Sequence, residues 1–326
     1  MLRGLSILYI VGFWHVMNYV PPSQAYHNSI TCRIIVGILG TFVFVSGYLL
    51  GRTRINATSS GIVSFYSKRI LRIYPLYLCA ILLFFVFRIS DGTTLLKASM
   101  LISMFYGPSP PTLWFITMII AYYAIAPLLI ILITHKICFW LCSAAILASA
   151  IIMTIWSSHV DPRIAIYLPA FVSGIYFANI RALKPVPTIY FAVIGLVCSI
   201  AISFLFSSSS SPESSLASIP IATFGPMCIF LLSLCYEKSI PNWKAFSVLG
   251  YSGYVMYLVH RPVYGTMDLL LYHIYNVVST TWHLIYLIGV CLPMIIIVSW
   301  YIQLYYDKVM QLCLTYVNDK TCHVGE

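Results

Sequence analysis

The sequence predicts an all-α fold, a polytopic transmembrane helix bundle of about ten spans, on three observations. Apolar residues make up 61% of the 326 positions and charged residues only 8%, against roughly 25% charged in an ordinary soluble domain. The apolar residues gather in runs long enough to cross about 30 Å of hydrocarbon. The basic residues alternate between the connections, the signature of membrane sidedness. With 18 Lys and Arg and 8 Asp and Glu, the chain cannot cover a water-facing surface, so membrane lipid is its main solvent and a soluble globular fold is excluded. The formal charge of +10 does not point to nucleic acid, because the basic residues sit in short clusters and form no continuous stripe.

The first run, 2–20, opens on Arg3 and stops at Pro21-Pro22. Trp14, His15 and Asn18 interrupt it and no A-x-A cleavage site follows, so it reads as a span and not as a signal peptide. The second and third, 34–51 and 70–89, are separated by Arg52, Arg54 and Lys68, and Arg69 and Arg72 stand at the mouth of the third. The fourth to sixth are 113–133, 137–156 and 164–180. Pro185 and Pro187 precede the seventh, 188–206, and Ser207–Ser211 with Pro212 follows it as a flexible polar loop. Runs 219–236, 247–270 and 284–306 complete the set. One alternating set of connections holds Arg52, Arg54, Lys68, Arg69, Arg72, Lys136, Arg181, Lys184, Lys238, Lys244, Lys308 and Lys320, while the other holds Arg33, Arg88, Lys97 and Arg163. That bias places both termini in the cytoplasm. The chain is expected as one membrane domain over 1–326, with 307–326 a short cytoplasmic tail. The ten Cys lie mostly inside apolar runs without a C-x-x-C pair and read as free, small apolar residues.

Ionisable residues inside apolar spans are costly and usually face a cavity or a partner. His15 lies twelve residues beyond Arg3, roughly 18 Å along a helix, and His260 lies at roughly 20 Å into the ninth run, so the two histidines are expected at one depth. Arg69 and Arg72 at i,i+3 spacing share one helix face, and two adjacent guanidinium forks suit phosphates, with Lys68 adding charge. Read plainly, the same cluster is a positive-inside anchor. Histidine takes a proton from an alcohol and returns it near neutrality, which suits a dry site poor in carboxylates. A helix-packing hydrogen bond is the plainer role for His15. Asp268 is the one acidic residue well inside a run, with His260, Arg261, His273 or the outer interface as its candidate surroundings. No G-x-S-x-G nucleophile, H-x-x-x-H metal pattern or Gly-rich phosphate loop is present, so no metal is expected and direct transfer is favoured over a covalent enzyme intermediate.

Five motifs in order then carry a resemblance: Arg3-Gly4-Leu5 with His15 downstream; Phe44-Val45-Ser46-Gly47-Tyr48; Phe65 to Pro75 around Lys68, Arg69 and Arg72; Leu113-Trp114-Phe115; and Ser252-Gly253-Tyr254 with Tyr257-Leu258-Val259-His260-Arg261-Pro262. Over most of its length the chain resembles the acyltransferase 3 family of integral membrane acyltransferases, which O-acylate sugars of bacterial surface polysaccharides and some other hydroxyl compounds. The resemblance implies ten core helices in the bacterial inner membrane. It implies an acyl-CoA donor, acetyl-CoA by default, taken from the cytoplasm, and a glycan or lipid-linked saccharide as acceptor. It carries catalytic roles onto His15, as base, and Arg3. Donor binding goes to Arg69, Arg72, Lys68 and Ser46, and cavity lining to Trp114, Tyr254, Tyr257, His260 and Arg261. A fused esterase-like domain of the kind seen in some relatives is not expected, and the chain is expected to complete transfer alone.

One departure makes a structural forecast. The family usually has ten residues between arginine and histidine, and here Gly4 to Trp14 makes eleven. At 100° per residue a twelve-position separation leaves the side chains about 120° apart, whereas eleven leaves about 20°. A one-residue π-bulge near Gly12 would restore the shared face. The rival reading is a transporter or flippase of a lipid-linked glycan or acyl group, which should show repeats or paired broken helices; none is visible beyond Pro262 and Pro293. A glycan polymerase would need a longer basic external loop, and a purely structural role leaves the buried His and Arg unexplained.

Overall fold

The computed structural model describes residues 1–20, 26–180, 185–206, 215–236, 244–271 and 280–323, with the side chains of the last helix given as far as Leu312. Expectations resting on Pro21-Pro22, Arg181, Lys184, the Ser207–Ser211 run, Pro212, Lys238, His273 and the side chains of Cys313, Lys320 and Cys322 lie outside the described residues. Among the described residues the regular elements are all helices.

Helix α1, Leu2–Tyr9, runs on through a π turn at Ile10–Trp14 and a 3₁₀ turn at Val16–Tyr19. Then follow α2 (Ser29–Gly51), α3 (Ser59–Val86), α4 (Gly92–Ser99), α5 (Trp114–Leu132), α6 (Lys136–Trp156), α7 (Arg163–Ile166), α8 (Leu168–Ala178), α9 (Pro185–Phe206), α10 (Ile219–Cys235), α11 (Lys244–Leu270), α12 (Thr280–Tyr286) and α13 (Leu292–His323). A second π turn, Leu287–Cys291, joins α12 to α13. Seven helical stretches among the described residues are long and apolar enough to cross a membrane: α2, α3, α5, α6, α9, α10 with the turn before it, and α12 to α13 as far as Leu312. The remaining three predicted runs coincide with α1 and its turns, with α7 and α8, and with α11.

Helix α3 begins eleven residues before the apolar run at 70. Ser64, Ser67, Lys68 and Arg69 break the apolar pattern without breaking the helix, and the Thr58 hydroxyl caps it by accepting from the Gly61 N–H at 3.2 Å. The connection expected over 90–112 contains α4. Asp91 caps it, and hydrogen bonds from the Thr93 hydroxyl and the Thr94 N–H hold its carboxyl well below the usual carboxylate range. Helix α13 runs on to His323, through the segment expected as a cytoplasmic tail.

Helix α2 is the hub. It packs on α8, α10 and α1, and its side facing α8 and α10 is lined with glycine. A Cβ on Gly47 would collide with the Phe171 carbonyl, and one on Gly174 with the Phe44 carbonyl. A Cβ on Gly51 would lie 2.8 Å from the Ile175 carbonyl, and one on Gly40 2.5 Å from that of Ala222. Close backbone approach at small residues is how helices bind one another in lipid, where water provides no drive between them. Helix α1 uses the same device, since a Cβ on Gly4 would lie 2.9 Å from the Phe246 carbonyl of α11. Helices α6 and α9 instead leave large side chains such as Leu141, Trp156 and Leu205 exposed, as a lipid-facing surface does.

Gly47→Ala and Gly174→Ala are each expected to destabilise the protein by about 1–3 kcal/mol, since the neighbour is backbone and cannot swing away. Gly265→Ala, where nothing lies within 4 Å, should leave stability unchanged. Thermal unfolding in detergent compares the three; equal midpoints would remove the close-packing account of the α2–α8 contact.

Candidate active site

Two cavities open along the inner face of α1, joined by an apolar neck. The first, of about 180 Å³, is lined by Arg3, Ser46, Arg69, Arg72, Tyr123, Tyr254 and Gln303 among others. The second, of about 300 Å³, is lined by His15, Trp14, Asn18, His27, Ser109, Thr112, Trp114, Arg163, Tyr257 and Arg261 among others. The neck measures about 20 Å³ and is walled by Ile7, Ile10, Leu39, Phe42, Phe115, Ile116, Tyr254 and Tyr257. Its walls belong to both cavities: Phe42, Phe115, Ile116 and Tyr254 continue into the first, and Ile10, Leu39 and Tyr257 into the second.

The π turn aligns them. The His15 N–H donates to the Ile10 carbonyl at 3.0 Å, an i→i−5 bond that inserts one residue into the turn around Gly12. Arg3, Ile7, Ile10 and His15 therefore follow one another along one face, at steps of four, three and five, from the first cavity through the neck into the second. Gly12 leaves room for the packing behind it, because a Cβ there would sit 2.8 Å from Leu292.

In the first cavity the Arg3 guanidinium lies 5.1 Å above the Phe42 ring and its Nε is buried without a hydrogen-bond partner among the described residues. Arg69 lies 5.0 Å above Phe65. The i,i+3 spacing of α3 brings Arg69 and Arg72 to the same wall, while Lys68, about 100° round the helix from Arg69, is exposed and lines no part of the cavity. Arg52 and Arg54 border a separate surface depression. The Ser46 hydroxyl donates to the Phe42 carbonyl at 2.8 Å. Tyr254 pins α11 to α3 by donating to the Ile73 carbonyl at 2.7 Å.

In the second cavity His15 stacks on His260, with ring centroids 4.6 Å apart and planes within 5°. His260 is fully buried behind His15 and does not line the cavity. Its Nδ1 lies 2.8 Å from the Tyr257 carbonyl and 3.2 Å from that of Met256. A carbonyl only accepts, so the proton of neutral His260 sits on Nδ1, and Nε2 has no partner among the described residues. Nδ1 of His15 is likewise buried without a partner. Asp268, for which the sequence left several surroundings open, contacts His283 at 2.7 Å.

Sequence reasoning missed several lining groups. Asn18 was visible only as a break in an apolar run, Gln303 as a polar residue within the last run, and Arg163 only as a loop charge. Arg163 is gripped by Asp161 through Nε and Nη2, at 2.8 and 2.5 Å, and covers the Trp114 ring at 3.9 Å. Thr112 had no signal at all: it holds φ at 62°, a conformation costly for a β-branched residue, and its carbonyl accepts from the Tyr257 hydroxyl at 2.7 Å. No group of three or more His, Cys, Asp or Glu able to hold a metal occurs among the described residues.

Tyr257→Phe keeps the ring and removes the donor to Thr112. It is expected to cost about 1 kcal/mol in thermal unfolding, and Thr112→Gly, which accepts positive φ without strain, is expected to offset part of that loss. An unchanged midpoint in Tyr257→Phe would show that the hydroxyl does not hold the loop.

The arrangement thus offers a cluster of cations for an anionic ligand at one end and an imidazole at the other, with an apolar neck between them. The comparison with protein families gives the same direction: the acyltransferase 3 family model, described as an acyltransferase domain, matches residues 1–303. No curated protein and no solved structure matches the chain. With all but the end of its last helix inside that match, this multi-helical membrane protein belongs to the acyltransferase 3 family and is an acyltransferase.

Proposed function

We propose that the protein is an O-acetyltransferase that moves the acetyl group of acetyl-CoA onto a hydroxyl of a cell-surface or lipid-linked glycan. The observation that carries the reading is the line from Arg3 to His15 along one face of α1, ending in two different cavities joined by a neck. Arg69 and Arg72 pair with CoA phosphates. Arg3, whose guanidinium lies over the Phe42 ring that walls the neck, holds the donor arm as it enters. His15 accepts the proton of the acceptor hydroxyl; that oxygen bonds to the thioester carbonyl carbon, the carbon–sulfur bond breaks, and the CoA thiolate takes the proton back from His15. Stacking on His260 fixes the plane of the base. Ten spans in the bacterial inner membrane, with both termini and the arginine cavity cytoplasmic, fit the charge bias of the connections and the three further helical stretches beyond the seven clearest ones.

A narrow apolar neck, of about 20 Å³, favours a small acyl group and weighs against carrying a whole saccharide through this path. Its apolar walls also keep water from the thioester.

His15→Ala is expected to lower transfer from acetyl-CoA in membranes by about 10²–10⁴-fold, and Arg69→Ala and Arg72→Ala to raise the KM for acetyl-CoA by about tenfold or more. Deleting Gly12 replaces the π turn by an α turn and should keep His15 on the face of Arg3, whereas inserting Ala after Gly12 turns it about 100° away; release of CoA retained by the insertion and lost by the deletion would contradict the alignment.

Phe115→Leu, with Phe115→Ala as the larger step, should raise the ratio of butyryl to acetyl transfer by opening the neck. A ratio unmoved in both, at normal protein level, would show that the neck does not select the acyl group.

A further inference from the structure

The cavity around His15 holds more positive charge than the proposed reaction uses. Of its two guanidinium groups, that of Arg163 is neutralised by Asp161. Arg261 is different. Among the described residues no carboxylate lies within ion-pair distance of it, and its Nε is buried without a hydrogen-bond partner. The acid two turns along its own helix, Asp268, is engaged by His283. The Arg261 backbone carbonyl is taken by the Tyr19 hydroxyl at 3.3 Å, which fixes this turn of α11 against the end of α1.

A guanidinium at membrane depth without a counter-ion is costly, and an anion bound beside it removes that cost. Resting on the transferase reading of the same site, we infer that the acceptor is an anionic saccharide whose carboxylate or phosphate pairs with Arg261 while one of its hydroxyls meets His15. A carboxylate or phosphate accepts from the fork of a guanidinium in two parallel bonds, so the pairing fixes the orientation of the sugar as well as its sign. Selection comes from the unpaired cation: a neutral sugar would enter the cavity and leave Arg261 unsatisfied.

The test uses the purified full chain and three probes, each in gluco and galacto configuration: the methyl uronide, the sugar 1-phosphate and the neutral methyl glycoside. Binding is read without acetyl-CoA, through quenching of tryptophan fluorescence, since Trp14 and Trp114 line the cavity. At least one anionic probe is expected to bind about tenfold or more tightly than its neutral partner. That advantage should shrink with added salt, disappear in Arg261→Gln and survive in part in Arg261→Lys. Preference for the uronide identifies a ring carboxylate, and preference for the 1-phosphate a lipid-linked sugar phosphate. Equal binding of anionic and neutral probes, binding of none, or a preference that persists in Arg261→Gln overturns the inference.

The transferase reading is tested separately by CoA release. Anion preference without transfer sinks that reading and leaves the anion site standing, while transfer without preference sinks the anion site alone. In the kinetic form, Arg261→Gln should raise the KM for the anionic acceptor. A fall in kcat towards anionic and neutral acceptors alike would instead make Arg261 a stabiliser of the reacting carbonyl, and overturns acceptor selection.

Discussion

One backbone hydrogen bond organises this molecule, the 3.0 Å contact from the His15 N–H to the Ile10 carbonyl. With regular α-helical bonding the imidazole would point about 120° away from Arg3, towards packing and not towards a cavity. The π turn adds one residue to one turn of helix and brings the two side chains into line. Such a turn survives only where its surroundings fix it. Here Gly4 locks the start of α1 against the α11 backbone, Gly12 lets Leu292 close up behind the wide turn, and the Tyr264 hydroxyl donates to the Val11 carbonyl within it at 3.3 Å.

The arginines of the bundle show what a membrane does to a cation and how engaged and unengaged ones differ. Arg33 is buried and fully engaged: it donates to Ser203, to the Ser203 carbonyl and to Ser29, and its guanidinium lies 3.7 Å over Phe204. It ties α2 to α9 and has little left for a ligand. Arg163 is chelated by Asp161. Arg3 and Arg261 each keep a buried Nε without a partner among the described residues, and each lines a cavity. Desolvation without compensation is what a packing role does not require.

The sequence made the helices legible because lipid imposes one rule on every span, so run length alone located α2, α5, α6, α9 and α10 to within a few residues. It failed at α3, where an amphipathic start hid eleven helical residues behind serines and cations, and at α4, too short and polar to register. The anomalous spacing of Arg3 and His15 forecast the π turn because helix geometry leaves few ways to absorb one residue. Spacing also brought Arg69 and Arg72 to one wall, whereas Lys68, to which the resemblance gave a part in donor binding, lies about 100° round the helix and stays exposed outside the cavity. Nothing local could reveal the stacking of His15 on His260, the grip of Asp161 on Arg163 or the strained Thr112, since each depends on how distant helices meet.

The division into two cavities bears on how transfer and hydrolysis are kept apart in the proposed reaction. A thioester held beside an imidazole in open water would lose its acyl group to solvent, because water competes with a sugar hydroxyl for the same base. Here the polar ends are separated by a neck whose lining side chains are Ile, Leu, Phe and Tyr, and both of its tyrosine hydroxyls are occupied, by the carbonyls of Ile73 and Thr112. With those hydroxyls committed, the neck offers a water molecule little to bond to, and transient wetting is disfavoured. The same two hydrogen bonds hold α11 to α3 and to the loop before α5, so the neck is narrow for the reason that the bundle is held together there. The apolar passage that the proposed reaction needs and the hold of α11 on its neighbours therefore rest on the same pair of tyrosines.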